Sequence, residues 1–363
     1  MKRFFLVAAM LIMVLSITNC SLFRQNDASK AQSENVLTKD DFYRLMFYNV
    51  ENLFDTIDDP LKKDEDFTPE GSYRWDGVKY QQKLDNIARV TMALGNGKMP
   101  DIIGFCEVEN RNVLEDLNEL SGFKSFDYRV IHQESLDERG IDVALFYRSG
   151  TVTPIAYRSV RVQFEEPDTR PTRDILYFKA LLSSNDTLHF FVNHWPSRYG
   201  GAEKTIPYRK AAARAARTVV DSILSLNPAA HIVLTGDFND DPDDASLVEV
   251  LEAKTPGTEA RLTNFTYPYK TGDQRGTLKY RGNWNYFDQF IVSSALIDGK
   301  ALKTSPADYH IYYGEPGFEF LLEVDDRFQG MQPNRTYWGR TFHGGFSDHL
   351  PVYLDIYPAE KTQ

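Results

Sequence analysis

Six clusters of polar side chains stand where short apolar runs end. Tyr48-Asn49-Val50-Glu51 closes the first run, Glu107 closes Ile102 to Cys106, and Asn193-His194 closes Phe190-Phe191-Val192. Asp237-Phe238-Asn239 follows the run that ends in Gly236, Asp288 lies inside Asn285 to Val292, and Ser347-Asp348-His349 precedes Leu350-Pro351-Val352. Carboxylate and amide oxygens are the donors a hard divalent cation takes. An imidazole, with an unperturbed pKa near ~6.5, moves protons close to working pH. Any one cluster also reads as ordinary capping, because Asp and Asn side chains bond to nearby backbone at turns. Six together, holding carboxylates, amides and histidines, are poorly explained as independent caps.

The runs that carry these clusters are strand-like. Residues 43–48, 101–106, 142–147, 176–182, 188–193, 231–236 and 287–293 are short, rich in Val, Ile, Phe and Tyr, and bounded by turn residues. Helical patterns are fewer. Residues 79–94 set Leu84, Ile87, Ala88 and Leu94 near one face, with Gly95 as a stop. Residues 207–226 set Ala212, Ala215, Val219 and Ile223 on one side, and Pro207 is expected in the first turn, where it costs no hydrogen bond. Many strands and few amphipathic helices fit two β-sheets packed face to face with helices outside. Residues 55–78 and 303–340 read as long surface loops that either border a site or merely decorate the surface. No repeat or low-complexity linker interrupts 41–358, which reads as one domain followed by a tail, 359–363.

The N-terminus reads as an export signal. Lys2 and Arg3 precede the apolar run Phe4 to Ile17, which suits a signal h-region better than a membrane span. Ile17-Thr18-Asn19-Cys20-Ser21 resembles a bacterial lipobox, with Asn19 in place of the usual small residue. This predicts a signal over 1–19, a lipid on Cys20 that ties the protein to a membrane, and a polar tether over 20–40. An uncleaved anchor is the alternative. The expected location is the bacterial outer membrane or cell surface. Loss of residues 1–19 changes 41 basic against 52 acidic residues to 39 against 52, or −13. Such a balance argues against broad electrostatic binding to polyanions, although a bound cation supplies positive charge locally. Cys106, the other cysteine, sits in an apolar run and reads as a core residue.

Taken in order, the clusters from Asn49 to His349 resemble the endonuclease/exonuclease/phosphatase superfamily, with Gly236-Asp237-Phe238-Asn239 and Ser347-Asp348-His349 the most specific elements. The resemblance implies an α+β fold, a four-layer α/β/β/α sandwich of two mixed sheets with the site at one edge. It implies hydrolysis of a phosphodiester by in-line attack of water, with Mg²⁺, or Mn²⁺, as cofactor. Glu107 is then the principal metal ligand, beside Asn49, Glu51 and Asp348; Glu51 stands where the family often has Asp and so reaches one methylene further. His349 is the general base or proton shuttle oriented by Asp288, Asp237 and Asn239 place water and a phosphate oxygen, and His194 serves the phosphate or leaving group. His132, His189, His231, His310 and His343 carry no such motif and read as structural or surface residues.

Asn193 to Gly201 with Tyr208-Arg209-Lys210, and Gly276 to Trp284, are similar to bacterial extracellular nucleases of that superfamily. Arg198 and Arg209 are therefore candidate phosphate clamps or else surface charges, and Trp284 and Tyr280 either stack on a base or pack. The expected substrate is nucleic acid. The rivals are a phosphatase or phosphodiesterase acting on phospholipid or inositol polyphosphate headgroups, and an inactive binding lipoprotein. No obligate protein partner is evident.

Overall fold

The structure is a computed structural model, and it describes residues 42–95, 97–166, 169–272 and 275–359. The expected signal, Cys20 and the tether lie outside the described residues, as does the tail beyond Ala359.

Two seven-stranded sheets form the centre. The first contains β1 (Tyr43–Leu53), β2 (Ile102–Val108), β3 (Tyr128–His132) and β4 (Asp142–Arg148), with β14 (Leu302–Lys303), β15 (Tyr309–Ile311) and β20 (Val352–Pro358). Its order is β14-β20-β1-β2-β4-β3, with β15 also on β20. The second contains β5 (Val152–Val160), β6 (Ile175–Leu182), β7 (Thr187–His194), β8 (His231–Asp237), β9 (Ala253–Lys254), β10 (Leu262–Asn264) and β13 (Asp288–Ser293), in the order β5-β6-β7-β8-β13-β10-β9. β1 and β2 are parallel, as are β7 and β8, while β8 and β13 are antiparallel, so both sheets are mixed. All seven predicted strands are present. Short hairpins occupy the stretch read as a loop: β16 (Leu322–Val324) with β17 (Met331–Pro333), and β18 (Tyr337–Trp338) with β19 (Thr341–Phe342). A further hairpin, β11 (Leu278–Tyr280) with β12 (Asn283–Asn285), precedes β13.

The central strands carry consecutive apolar residues because both faces of the sheets are covered. Side chains alternate between faces, so Phe190 and Val192 join the core between the sheets while Phe191 turns outward. There it meets α3 (Ala202–Leu226), whose Ala212, Ala216 and Val220 share its cluster with Ile232 and Leu234. On the other side α1 (Gly77–Gly95) and α2 (Arg111–Leu120) bury Leu84, Ile87, Leu114 and Leu117 against the first sheet. Gly104 lets the sheets close: a Cβ there would lie 3.1 Å from Val192 on β7. Phe54, Trp75, Tyr337 and Ile141 form a separate small cluster under the 55–78 segment. Cys106 is fully buried, and burial lifts its thiol well above the usual range, as a core cysteine requires.

One expectation is corrected. Helix α3 begins at Ala202, so Pro207 lies beyond the first turn and denies Glu203 its hydrogen bond. The cost is contained because Glu203 is exposed and its carbonyl reaches water.

Candidate active site

Backbone register lines up the predicted residues. On the second sheet, His194 of β7 is the Cα partner of Asp237 of β8, and Asp237 is the partner of Asp288 of β13. These three side chains thus form a row across adjacent strand ends. On the first sheet β1 and β2 end side by side, Asn49 opposite Cys106, with a register shift just beyond. Just before their ends both strands pass through left-handed backbone, with pairing resumed at Leu53 and Val108: φ is +51° at Glu51, +62° at Asn52 and +60° at Glu107. Asn239 after β8 has φ +49°. Non-glycine residues pay for such conformations. Here the turn re-aims a polar side chain as a strand stops.

The two rows meet through Asp237. Asn49 Nδ2 donates to Asp237 Oδ2 at 3.0 Å, and the Asn239 amide donates to Oδ1 at 2.9 Å. His194 Nε2 lies 3.6 Å from Asp237 and 3.8 Å from Glu107 Oε1. His349 Nδ1 is 2.7 Å from Asp288 Oδ2, and its Nε2 is 3.7 Å from Asp237 Oδ2. The Ser347 hydroxyl donates to the Asn49 carbonyl and accepts the His349 amide, so the Ser-Asp-His turn is bolted to the end of β1. Asn49, Glu107, His194, Asp237, Asp288 and His349 therefore converge, and Asn239 joins them through its backbone amide while its side-chain amide donates to the Trp195 carbonyl at 3.0 Å.

Burial separates their proton affinities. For His349 burial alone would lower the pKa, but Asp288 and Asp237 outweigh it and hold the imidazole well above its ordinary value. Burial lifts Asp237 to about 7; His349 pulls it down, and Asp288 and Glu107 add to the rise. Burial pushes His194 well below its usual pKa, helped by the charges of Arg173 and Arg139, so it stays neutral.

Other assignments change. Glu51 is 6% exposed and both its oxygens are in use: Oε1 takes Arg335 at 3.1 Å and Oε2 takes the Thr336 amide at 2.6 Å. Asp348 also binds Arg335, at 2.9 Å. The ligand expectation for Glu51 thus gives way to bracing, and Asp348 is braced beside it. Glu107 keeps a free oxygen: Oε2 accepts the Asn52 amide at 3.1 Å, and its side chain is 18% exposed. That open carboxylate oxygen suits a hard divalent cation, which needs few protein ligands; the Asn49 carbonyl oxygen Oδ1 accepts the Glu51 amide at 3.0 Å and keeps its second lone pair for a cation.

Arg209 is not a phosphate clamp. It is 1% exposed, inside α3, with Nε 2.6 Å from Asp240. Arg198 is likewise engaged, by Asp240 at 3.1 Å, by Asp244 at 2.5 Å and by the Asn239 carbonyl at 2.8 Å. It secures the Asp237-Phe238-Asn239 turn. Trp284 is half-buried and packs on the main core. His132, read as structural, joins Glu134 and Asp142 in a group whose potential ligand atoms lie within 4.8 Å of one another. Its two ring nitrogens face different carboxylates, Asp142 at 3.2 Å and Glu134 at 3.8 Å, and Asp142 also takes the Ser135 amide. The group braces the turn between β3 and β4.

Sequence reasoning missed Arg335, Lys83 and Arg173. Lys83 is buried on the inner face of α1 and donates to Thr336 Oγ1 at 2.5 Å and the Phe346 carbonyl at 2.7 Å. Burial lowers it to about 8, against the attraction of Glu51, Asp348 and Glu107. A lysine next to Leu84 on a face that must be buried was the available signal. Arg173 pairs with Asp137 at 3.2 Å and donates to the Trp195 carbonyl at 2.7 Å, at the edge of a cleft of about 920 Å³.

A two-sheet sandwich with acidic, amide and imidazole side chains at one set of strand ends defines a phosphoester-hydrolase type of protein. The chain belongs to the endonuclease/exonuclease/phosphatase family, whose model matches residues 44–357. Solved structures agree in fold. A humanized TDP2 of D. rerio superposes with TM-score 0.54 at 15% identity, covering 87% of this chain and 99% of that one. A mannosyl-6-phosphatase of Bacteroides thetaiotaomicron gives 0.53 at 16%, covering 87% and 99%. The human Nocturnin catalytic domain gives 0.51 at 13%, covering 88% and 95%. No curated protein matches the sequence.

Proposed function

We propose that this chain is an exported, Mg²⁺-dependent phosphodiesterase that cleaves DNA or RNA by in-line attack of water, held at the membrane by a lipid on Cys20. The observation that carries the reading is the run Asp288–His349–Asp237–Asn49, continuous from one sheet to the other. Glu107 and Asn49 are the residues that would hold the cation, which supplies positive charge against the phosphoryl oxygens. His349, kept protonated by its carboxylate neighbours, faces the charge that builds on the phosphoryl group. Asp237, titrating near 7, is the better-matched base for water. On this reading the base is Asp237, where the resemblance implies His349. Neutral His194, with Nε2 3.6 Å from the same Asp237 oxygen, offers a hydrogen bond beside it.

Nucleic acid is favoured because a D. rerio TDP2 of the same fold is known in complex with a single-strand DNA product. The mannosyl-6-phosphatase of equal structural likeness supports a second reading, hydrolysis of a sugar phosphate. The metal role is tested with Glu107→Gln, which keeps the shape of the side chain and removes its charge. Activity should fall by orders of magnitude with folding intact, and EDTA should abolish wild-type turnover. Full turnover in EDTA would contradict the proposal.

A further inference from the structure

The geometry points to a nucleobase-binding subsite beside the catalytic cluster, formed by the short hairpins of residues 278–343, and we propose that it stacks the base next to the scissile phosphate. The inference rests on the phosphodiesterase reading of the neighbouring site. A cleft of about 770 Å³ lies between hairpins β11–β12, β16–β17 and β18–β19. Its rings are Tyr280, Phe328 and Trp338, which are 61%, 43% and 41% exposed. Solvent-facing aromatics gathered in a cleft are costly to leave wet.

Each ring is accompanied by a guanidinium. Arg281 lies 5.2 Å from the Tyr280 centroid, Arg327 lies 5.1 Å from Phe328, and Arg335 lies 5.2 Å from Trp338. Among the described residues, Arg281 and Arg327 have no carboxylate partner, whereas Lys279 pairs with Asp325 at 2.7 Å and Arg335 with Glu51 and Asp348. Planar rings and unpaired guanidinium groups are the pieces that hold single-stranded bases, by stacking and by attraction to phosphate.

The walls are fixed to each other and to the chemistry. Lys279 Nζ also donates to the Gln329 carbonyl at 2.7 Å, and Gly282 has Phe328 so close that a Cβ would meet it at 3.2 Å. Arg335 lines the cleft and at the same time grips Glu51 and Asp348. One side chain thus joins the aromatic cleft to the phosphate-handling end of the sheets. Leu278, at the start of the cleft's first hairpin, bridges His349, so a base in the cleft would belong to a nucleotide whose phosphate lies toward that end of the sheets.

The test measures binding of 5′-dAMP, 2-deoxyribose 5-phosphate and mannose 6-phosphate to the full protein and to Trp338→Ala and Phe328→Ala, variants on separate hairpins whose folding is checked by thermal melting. Wild type should bind dAMP more tightly than deoxyribose 5-phosphate. Each variant should lose about tenfold or more in dAMP affinity, the order expected for one base–aromatic stack, with little change for deoxyribose 5-phosphate. Equal affinities in wild type, or dAMP affinity unmoved in both folded variants, would overturn the subsite. Variant-sensitive binding of mannose 6-phosphate without dAMP binding would overturn the nucleobase in favour of a sugar ring. Oligonucleotide cleavage by wild type is scored separately. Variant-sensitive dAMP binding without cleavage upholds the subsite and sinks the nuclease reading, and cleavage with no effect of either variant on dAMP does the reverse.

Discussion

Asp288 holds His349 through one hydrogen bond of 2.7 Å, and every role given to the imidazole depends on it. His349→Ala should lower kcat by roughly 10²–10³-fold, the cost of removing one group that stabilises developing charge, and Asp288→Asn should lose a large part of that. The double variant should be little worse than His349→Ala, because groups acting as one unit are non-additive. Fully multiplicative losses in folded variants would break the pairing. Asp237 gives a second test, in stability. Its folded pKa of about 7 lies above the unfolded value, so the native state binds the extra proton and this carboxylate costs stability as pH rises from about 4 to about 7. In metal-free protein, the Tm of Asp237→Asn relative to wild type should therefore climb over that interval. A flat difference would mean that Asp237 titrates normally. His349 acts in the same sense at higher pH: with its pKa raised, its stabilising contribution is fully present below its unfolded value near ~6.5 and is lost as pH rises through the higher folded value.

The strand ends set these geometries, and they were legible in the sequence to very different degrees. The runs 188–193, 231–236 and 287–293 carry apolar centres, Phe190 to Val192, Ile232 to Leu234 and Phe290 to Val292, because each strand is covered on both faces, so strand and terminus could be read together. Register could not. That His194, Asp237 and Asp288 sit opposite one another follows from pairings between segments far apart in the chain. Arg198 and Arg209 looked like clamps because sequence shows charge but not partner; Asp240, which neutralises both, stands among other acidic residues with nothing to mark it. Arg335 lay in a stretch read as a loop, and its importance comes only from Glu51 and Asp348 folding onto it. Gly236 shows the tightness of one junction, since a Cβ there would lie 2.2 Å from the Asn193 carbonyl. Gly236→Ala should therefore push β8 from β7, lowering Tm and removing most activity, whereas Gly257→Ala, in open space but also at positive φ, should cost only its modest backbone strain. Equal Tm losses in the two would show that the close approach is unimportant.

At the scale of the molecule, an acidic chain of formal charge −11 surrounds a site meant for an anion. On the proposed reading, substrate attraction would be local, through a bound cation and a few guanidinium groups, rather than through the overall field. DNA affinity, measured with a metal that does not support cleavage, should show a shallow salt dependence, because the log–log slope is near ~−0.9 per phosphate contacted on duplex DNA. A steep slope would require a basic surface that these residues do not form. The central claim, that this family member hydrolyses nucleic-acid phosphodiesters, is tested most directly by one panel: purified protein with Mg²⁺ against plasmid, single-stranded DNA, RNA, sphingomyelin, inositol phosphates and mannose 6-phosphate, each repeated in EDTA. The account predicts cleavage of at least one nucleic acid that stops in EDTA and exceeds turnover of every monoester and lipid. Rapid turnover of a sugar, inositol or lipid phosphate with all nucleic acids intact would contradict it.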